Sequence, residues 1–466
     1  MTPPTYTPTM KDRKPQAEGL PEPSAVETLE EALRRRDRGE PAWRYFDERA
    51  RTHHDASRAR ENRPLAPPEA RAALDRALSQ PNPVRRRSLY VHIPFCEHLC
   101  SFCAFHRRPA SAWESATYVE AVRGQIAWLA ATPWAQGAPF DAVYIGGGTP
   151  TALPREGLAA IAQDLGQAFP LAHDCEFTVE TRCADIAGGY LRTLRAAGVN
   201  RLSIGVQSFD TSVRRRVGRQ RIREDAVAAV RHAADIGFDV VSIDLMYNLP
   251  GQTRDTWMRD VDTAFRLPIE GASVYCLIPY ARSVLSKRIA AGEEDPLGGT
   301  DAEWERFVAA ATAFESAPGW RPCSPVHYGR AGFERNVYNA VRAGDVDILA
   351  IGSGAGGRIG GLSYMNVPDV HDYTTAFIGD RPASIFATQN DAPAMAATRV
   401  LGFFEHMVLR DTEVPRDAAD IHHLLDLCAR LGVVSYRDGL WLLTPEGRFW
   451  SYTLGTLFAA ALASDG

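Results

Sequence analysis

The chain has 466 residues, of which 45% are hydrophobic and 23% are charged, and its formal net charge is −5. This composition is typical of a globular protein, and the small negative charge gives no sign of a nucleic-acid partner. No apolar run is long enough to span a membrane, and the polar, Pro-rich N-terminus lacks the pattern of a signal peptide. We therefore expect a cytoplasmic protein with no membrane partner, large enough for one catalytic domain and smaller additions.

Residues 1–87 precede the part of the chain that carries the motifs. Residues 1–24 are rich in Pro and Thr, which predicts a disordered tail. Residues 25–87 carry charged and apolar side chains at helical spacing, which predicts a helical N-terminal extension of two or three amphipathic helices. A linker at 81–87 ends this extension.

Apolar strands alternate with amphipathic helices from Leu89 onward. The predicted strands are 89–93, 142–145, 176–180, 201–206, 240–246 and 273–277, and the helices between them are 115–131, 156–169, 187–197, 224–236 and 254–265. This alternation predicts a parallel sheet with right-handed crossovers, and six units are too few for a closed eight-unit barrel. The expected fold is α/β, a partial (βα)6 three-quarter TIM barrel with an extension over 88–361 that includes a further strand at 347–351. A small C-terminal lobe over 362–466 should cover the substrate, and its segment 441–449 has a winged-helix-like pattern.

Three cysteines stand together directly after the first predicted strand. Cys96, Cys100 and Cys103 have the spacing C-x3-C-x2-C, which is tight enough to direct three thiolates at one centre. Three thiolates leave one iron of a four-iron cluster without a protein ligand, so that this iron can bind a small molecule. A zinc site with His98 or His106 as the fourth ligand is the alternative, although zinc sites usually use paired C-x2-C knuckles.

The segment YVHIPFC, continued by x3-C-x-F-C, resembles the first motif of radical S-adenosylmethionine (SAM) enzymes of the HemN-like group. The resemblance implies a [4Fe-4S] cluster on the three cysteines, with the open iron chelating the amino and carboxylate groups of SAM. It also implies that Tyr90 contacts this SAM and that Phe102 stacks on an adenine. Packing against the barrel is the alternative for both rings.

A glycine-rich turn, GGGTPT at 146–151, follows the second predicted strand. Glycines let the backbone approach a ligand closely, and free N–H groups can bind a carboxylate. The turn is similar to the GGTPT element of the family. This resemblance implies that Gly147, Gly148 and Thr149 hold the amino-acid end of SAM.

Glu180 ends the third predicted strand, in the sequence Thr-Val-Glu-Thr-Arg. Its carboxylate could accept a hydrogen bond from a ribose hydroxyl or from an ammonium group. The alternative is a salt bridge with Arg182 or Arg201. The HemN-like pattern has x-Asn/Asp-Pro after this glutamate, so the local shape of the pocket should differ here.

Three more polar side chains resemble elements of the family. Gln207 ends the fourth predicted strand, Arg219 follows it, and Asp244 lies in the sequence Asp-Leu-Met-Tyr-Asn-Leu-Pro-Gly. The resemblance implies that these residues contact two SAM molecules. Arg219 offers a fork for a carboxylate, although it also lies in an arginine-rich run at 214–223 that a solvated surface would explain.

Two features bear on the substrate. The glycine-rich stretch 352–357 and the sequence 334–339 are similar to heme-opening members of the family (ChuW/HutW-like). Phe105 occupies the position where oxygen-independent coproporphyrinogen dehydrogenases carry a fourth cysteine, which argues against decarboxylation. HemW-like heme chaperones share this Phe, but the long N-terminal extension and the sequence after Glu180 make that alternative less attractive.

The resemblance as a whole implies a class C radical SAM methyltransferase that uses two SAM molecules. A SAM-derived methylene radical would add to an sp2 carbon of a conjugated substrate and give a methyl group or a cyclopropane. We expect a natural-product substrate, as in antibiotic biosynthesis, with heme as the alternative, and an electron donor such as flavodoxin or ferredoxin. Candidates for the final acid or base are Tyr275, Cys276 and Tyr280. His327, Tyr328 and Tyr364 are candidate heme contacts, with ordinary packing as the favoured alternative for each.

Overall fold

The structure is a computed structural model that describes residues 24–51, 63–81, 86–103, 108–109, 111–184, 189–343, 346–379, 385–416 and 418–464. The predictions for residues 1–23, Phe105 and His106 lie outside these ranges. The α-helices in these ranges are Ala25–Asp37, Pro67–Leu78, Ala112–Ala130, Pro133–Gln136, Arg155–Ala168, Tyr190–Ala196, Thr211–Arg216, Arg223–Asp235, Arg254–Phe265, Val284–Ala290, Thr300–Ser316, Val337–Ala343, Val370–Ile378, Ala392–His406, Ala419–Leu431, Pro445–Phe449 and Ser451–Ser464. Among these described helices, none is long and apolar enough to cross a membrane.

A sheet of 13 strands organises the molecule, in the order β1-β13-β12-β11-β10-β2-β3-β4-β5-β6-β7-β9-β8. The strands are β1 (Arg63–Leu65), β2 (Arg87–Ile93), β3 (Phe140–Gly147), β4 (Leu171–Arg182), β5 (Arg201–Gln207), β6 (Val240–Tyr247), β7 (Gly271–Cys276), β8 (Trp320–Ser324), β9 (His327–Arg330), β10 (Asp347–Ile351), β11 (Gly356–Ile359), β12 (Leu362–Asn366) and β13 (Ile385–Gln389). Strands β2 to β7 run parallel in chain order, as predicted for the barrel. Strand β10 adds a seventh parallel strand beside β2.

The two faces of the parallel strands differ in chemistry. Leu89, Val91 and Ile93 of β2 are fully buried in the main apolar core, together with their counterparts on the neighbouring strands. Side chains alternate along a strand, so the residues between them face the other way, into the barrel. We call this interior the chamber, and the inward residues that define it are Tyr90, Tyr144, Glu180, Asp244 and Tyr275.

A buried ionic network closes the amino-terminal end of the chamber. Arg201 donates to Glu334, with Nη2 and Oε2 3.0 Å apart, and His327 hydrogen-bonds Ser273 at 2.9 Å. The strands leave no room for more atoms here, because a Cβ on Gly271 would lie 2.5 Å from the Glu334 carboxylate. This network forms the floor of the chamber and leaves the carboxyl ends of the strands as the open end.

The N-terminal extension reaches both the sheet and the C-terminal residues. Its first helix packs against the helix Ala419–Leu431, and β1 pairs with β13 at the edge of the sheet. Between these elements Arg49 donates to Glu303 Oε2 at 2.8 Å and to the carbonyl oxygen of Phe449 at 3.0 Å. The extension predicted as helices therefore also supplies an edge strand and a cross-link over the barrel rim.

The C-terminal residues form a second, three-stranded sheet in the order β14-β16-β15, with strands β14 (Val408–Arg410), β15 (Val434–Arg437) and β16 (Leu440–Leu443). The hairpin of β15 and β16 follows the helix Ala419–Leu431, an arrangement that fits the predicted winged-helix-like lobe. Strands β12 and β13 instead hydrogen-bond to the large sheet. The barrel sheet therefore continues past residue 361, where the sequence pattern places the start of the lobe.

Candidate active site

The cysteine loop is tied to the glycine-rich turn at the open end of the chamber. The N–H of Gly148 donates to the carbonyl oxygen of Ile93 at 2.7 Å, and the N–H of Thr149 donates to that of Phe95 at 2.7 Å. The thiol of Cys96, which is buried, lies 3.4 Å from the Thr149 hydroxyl. The cysteine loop and the glycine-rich turn, which both resemble motifs of the family, therefore form one structural unit.

The far side of the loop rests on other barrel elements. The N–H of Ser101 donates to the Val217 carbonyl at 3.3 Å, and Arg182 donates to the carbonyl oxygen of His98 at 3.1 Å. The Phe102 ring packs against a small apolar cluster that includes Val217, which supports the packing alternative for this ring.

The three thiols themselves are placed at one end of the barrel. Cys100 and Cys103 are half-buried. Within the described ranges no group of three or more His, Cys, Asp or Glu side chains already stands at metal-binding separations.

The glycine-rich turn differs from the expectation in one respect. The N–H of Gly147 donates to Glu180 Oε2 at 3.1 Å, and those of Gly148 and Thr149 are also used within the protein. The turn therefore does not offer these donors to a SAM carboxylate. The glycines are required for steric reasons instead. A Cβ on Gly148 would lie 2.6 Å from the Phe95 carbonyl oxygen, and Gly147 has a φ of +114°, which favours glycine.

Glu180 is held in the chamber by neutral donors. Its Oε1 accepts from the Tyr144 hydroxyl at 2.5 Å. Burial raises the pKa of Glu180 to about 7. No salt bridge between Glu180 and Arg182 or Arg201 is seen among the described residues, where Arg182 lies beside Glu97 and Arg201 pairs with Glu334. The carboxylate is thus oriented by neutral donors.

Gln207, Arg219 and Asp244 come together at the carboxyl ends of β5 and β6. A Cβ on Gly205 would lie 3.0 Å from Gln207 Nε2 and 3.5 Å from Arg219 Nη2, so both side chains flank that glycine. Asp244 accepts from the Ser203 hydroxyl at 3.5 Å. Burial raises the pKa of Asp244, although a hydrogen bond with Ser273 and the charges nearby, that of Arg219 among them, oppose this rise.

Two atoms of this group indicate a missing ligand. Gln207 Oε1 and Arg219 Nε are buried and have no hydrogen-bond partner among the described residues. Buried polar atoms without partners are rare in folded proteins, because each one costs free energy. SAM carries hydroxyl donors and a carboxylate acceptor, so these residues fit SAM.

The three candidates for the final acid or base lie in different places. Ser273 is the register partner of Asp244 on the neighbouring strand. Tyr275 lies two residues after Ser273, so its side chain is on the same inward face of the sheet as that of Asp244. It is 39% exposed, and burial by the surrounding protein raises its pKa. The side chain of Cys276 faces the opposite way. Burial raises its pKa to about 11, although the nearby Arg49 opposes this rise. Tyr280 is exposed in the loop after β7.

The proposed heme contacts are packing residues instead. His327 belongs to the floor of the chamber. Tyr328 is fully buried and stacks on Phe314 with the ring centroids 4.7 Å apart. The Tyr364 hydroxyl accepts the N–H of Ala350 at 2.9 Å. Of these three, only His327 borders the chamber, and it does so from the floor.

The structure adds an aromatic stack that the motifs did not single out. The ring of Tyr338 stacks on Tyr144 and on Tyr90, with centroid distances of 4.4 and 5.7 Å. The Tyr90 hydroxyl is 2.8 Å from His92 Nδ1. Tyr338 lies within the sequence 334–339, so the resemblance of that stretch was the available signal.

Comparisons with known proteins agree with this geometry. Residues 90–264 match the family model described as the radical SAM superfamily. The chain is 31% identical over 389 residues to anaerobilin synthase of Escherichia coli O157:H7, covering 83% of this chain and 87% of that protein. It is 33% identical over 290 residues to the heme chaperone HemW of Bacillus subtilis (strain 168), covering 62% and 75%. The solved structure of coproporphyrinogen III oxidase (HemN) from Escherichia coli matches with a TM-score of 0.70 and 25% identity, covering 83% of this chain and 92% of that one.

These matches confirm the predicted fold class and the predicted cofactors. The superfamily uses a [4Fe-4S] cluster and SAM, which replaces zinc as the interpretation of the cysteine motif. The match to HemN, over 83% of this chain, agrees with a partial α/β barrel that carries additions. The chain therefore belongs to the HemN-like group of the radical SAM superfamily.

Proposed function

We propose that this radical SAM enzyme is a C-methyltransferase that uses two SAM molecules to open heme. The observation that carries the proposal is the extent of similarity to anaerobilin synthase. That sequence similarity covers 83% of this chain, well beyond residues 90–264, whereas the sequence similarity to HemW and to the E. coli coproporphyrinogen III oxidase covers 62%, although the fold of the latter matches over 83%. Residues outside the shared catalytic domain thus favour a tetrapyrrole over the natural product that we expect from the sequence.

The proposed roles at the cluster end of the chamber follow from the contacts. Cys96, Cys100 and Cys103 hold the cluster, and Thr149 fixes the loop that carries them. When bound, the reduced cluster and SAM supply the 5′-deoxyadenosyl radical, and a second SAM supplies the methylene carbon. Within the described ranges no cation pairs with Glu180, and its two oxygens are oriented by neutral donors, so it accepts a hydrogen bond from the ammonium group of SAM.

The remaining polar residues position the SAM molecules and exclude water. Gln207 Oε1 accepts from a hydroxyl, and Arg219 donates to a carboxylate. Asp244 lies on the inward face of β6, between the pair Gln207 and Arg219 on one side and Tyr275 on the other. Tyr275 is the one of the three acid or base candidates that faces the chamber, so it delivers or removes the final proton at the phenol oxygen.

Anaerobic turnover tests this proposal. The purified, cluster-loaded protein is incubated with SAM, heme and a low-potential reductant, or with flavodoxin or ferredoxin and its reductase. We expect the Soret absorption of heme to fall while S-adenosylhomocysteine and 5′-deoxyadenosine accumulate. Formation of 5′-deoxyadenosine without any change in the heme spectrum would reject heme as the substrate.

Two alternatives give different products in the same experiment. A coproporphyrinogen oxidase would release CO2 from coproporphyrinogen III and form no S-adenosylhomocysteine. A heme chaperone would bind heme stoichiometrically and release it unchanged. A conjugated natural product as substrate would leave heme intact and give methylated or cyclopropanated product.

A further inference from the structure

The cysteine loop meets the outer surface of the protein between two helices. The helix Thr211–Arg216 ends at the loop, and the carbonyl oxygen of Val217, which follows it, accepts the N–H of Ser101 at 3.3 Å. The helix Val284–Ala290 begins at the loop, because the N–H of Leu285 donates to the carbonyl oxygen of Ser101 at 2.9 Å. Since Ser101 directly follows the second cysteine of the motif, both helices border the surface outside the cluster ligands.

Two large apolar side chains are exposed on this surface. Leu99, in the cysteine loop, is 48% exposed, and Val284, the first residue of the second helix, is 59% exposed. Their neighbours Val217 and Leu285 are instead buried in the small apolar cluster beneath. Leu99 lies two residues before Ser101, and Val284 directly precedes Leu285, so both exposed side chains belong to the region where loop and helix are joined.

Each of the two helices adds an exposed cation to this surface, although the whole chain has a net charge of −5. Arg215 is exposed on the helix Thr211–Arg216, and Lys287 is exposed on the helix Val284–Ala290. Within the described ranges neither of these two side chains pairs with a carboxylate. Both cations are therefore available to an acidic partner.

The acidic side chains of this region are mostly engaged by other cations. The pairs are Glu294 with Arg216 and Arg288, Asp295 with Arg216, and Glu97 with Arg182. Glu293 is exposed after the second helix and opposes the positive charge. The two exposed cations Arg215 and Lys287 outnumber it, so the charge that remains for a partner is positive and complements an acidic surface.

The position of this surface suits the delivery of an electron. Cleavage of SAM consumes one electron for each 5′-deoxyadenosyl radical, and SAM occupies the chamber side of the cysteine loop. A partner that supplies this electron must approach the loop from outside, where Leu99 is exposed. Electron-transfer partners use small interfaces, and an apolar centre with a charged rim is the usual arrangement of an interface.

We propose that Leu99, Val284, Arg215 and Lys287 form a docking surface for a small acidic electron-transfer protein, such as a flavodoxin, that reduces the cluster. The anionic flavin hydroquinone gives up one electron and becomes the neutral semiquinone, and the oxidised cluster gains that electron, so no proton is transferred. Carboxylates of the donor meet the two cations, and the apolar pair excludes water between the proteins. The inference rests on the cluster that the proposed function uses, but not on the identity of the substrate.

The test measures two quantities with the cluster-loaded protein: the affinity for a dye-labelled acidic flavodoxin, by fluorescence anisotropy, and the rate at which flavodoxin hydroquinone reduces the cluster, by stopped-flow absorbance. Arg215→Glu and Lys287→Glu should each lower the affinity and the rate about three- to tenfold at low ionic strength. Added salt screens the charges, so these losses should shrink in high salt. Val284→Ser should lower both quantities at low and at high salt, because its contact is apolar.

Two controls separate docking from damage to the cluster. Arg430→Glu makes the same charge change at an exposed position on the helix Ala419–Leu431 and should behave as the wild type. Photoreduced 5-deazariboflavin, a small uncharged donor that needs no docking surface, should reduce the cluster of every variant to the same extent.

Unchanged affinity and rate in both charge-reversal variants would overturn the docking surface. An equal loss of reduction by 5-deazariboflavin would also overturn it, because that result indicates a structural role for these residues. A wild-type dimer that Val284→Ser dissociates, with flavodoxin binding unchanged, would show that a second copy of the chain covers this surface instead.

The outcomes also separate this inference from the proposed function. If the variants lose flavodoxin binding but no reductant supports consumption of heme, the docking surface stands and heme opening falls. If heme is consumed and the variants bind and accept electrons from flavodoxin as the wild type does, heme opening stands and the docking surface falls.

Discussion

Glu303→Gln should release the N-terminal segment from the rim of the barrel. The Glu303 side chain is 1% exposed and accepts from Arg49 at 2.8 Å, from Arg51 at 2.7 Å and from Asn248 at 3.2 Å. Gln has nearly the same volume, so the substitution removes the charge without creating a cavity. Arg49, whose side chain is 6% exposed, then remains as a buried cation without its carboxylate.

The magnitude follows from that burial. Removal of one partner from a buried ion pair costs about 3 to 5 kcal/mol. This cost lowers the free energy that is needed for local opening of the segment that holds Arg49. Ala50 reports on this opening, because its N–H donates to the Thr453 hydroxyl at 3.0 Å. Hydrogen exchange of the Ala50 amide should therefore accelerate by about 10²- to 4 × 10³-fold, since each 1.4 kcal/mol is a factor of ten.

Glu305→Gln is the matched control. Glu305 lies two residues away on the same helix and is 52% exposed, and its pair with Arg254 at 3.3 Å is solvated. Such a surface pair is worth about 0 to 1 kcal/mol, so exchange at Ala50 should stay within a few-fold of the wild type. Unchanged exchange at Ala50 in Glu303→Gln would refute the idea that this carboxylate holds the segment.

Three further predictions concern the cofactor end of the chamber. Cys100→Ala should abolish the absorption of the iron–sulfur cluster and all cleavage of SAM, whereas Cys323→Ala, in the edge strand β8, should retain both; cleavage in Cys100→Ala would contradict the cluster assignment. Asp244→Asn should keep the iron content and the cluster spectrum but weaken SAM binding or lower 5′-deoxyadenosine formation, and loss of iron would show that Asp244 is structural. Because the pKa of Glu180 is raised to about 7, its carboxylate is protonated and neutral below that pH; the Kd for SAM should therefore rise about tenfold from pH 8 to pH 6, and Glu180→Gln should abolish this dependence, so a flat wild-type profile would refute the role of the carboxylate.

The sequence by itself determined the central strands, the cluster motif and the order of the polar strand ends. Buried parallel strands appear as short apolar runs, so β2 to β7 were located within a few residues of their bounds. Motifs such as Cys96, Cys100 and Cys103 act through local spacing, which a linear pattern contains. The polar ends Glu180, Gln207 and Asp244 were found for the same reason, since each lies where an apolar run stops.

Only the tertiary structure decided which distant residues meet. β10 pairs with β2, and β1 pairs with β13, through backbone hydrogen bonds that no local periodicity specifies. The same holds for Arg49 with Glu303, and for Tyr338 between Tyr90 and Tyr144. Arg201 could have paired with Glu180, yet it pairs with Glu334, because the chain after β9 brings that carboxylate into the barrel floor. Partner choice of this kind depends on packing between segments far apart in the chain, and residue type alone does not encode it.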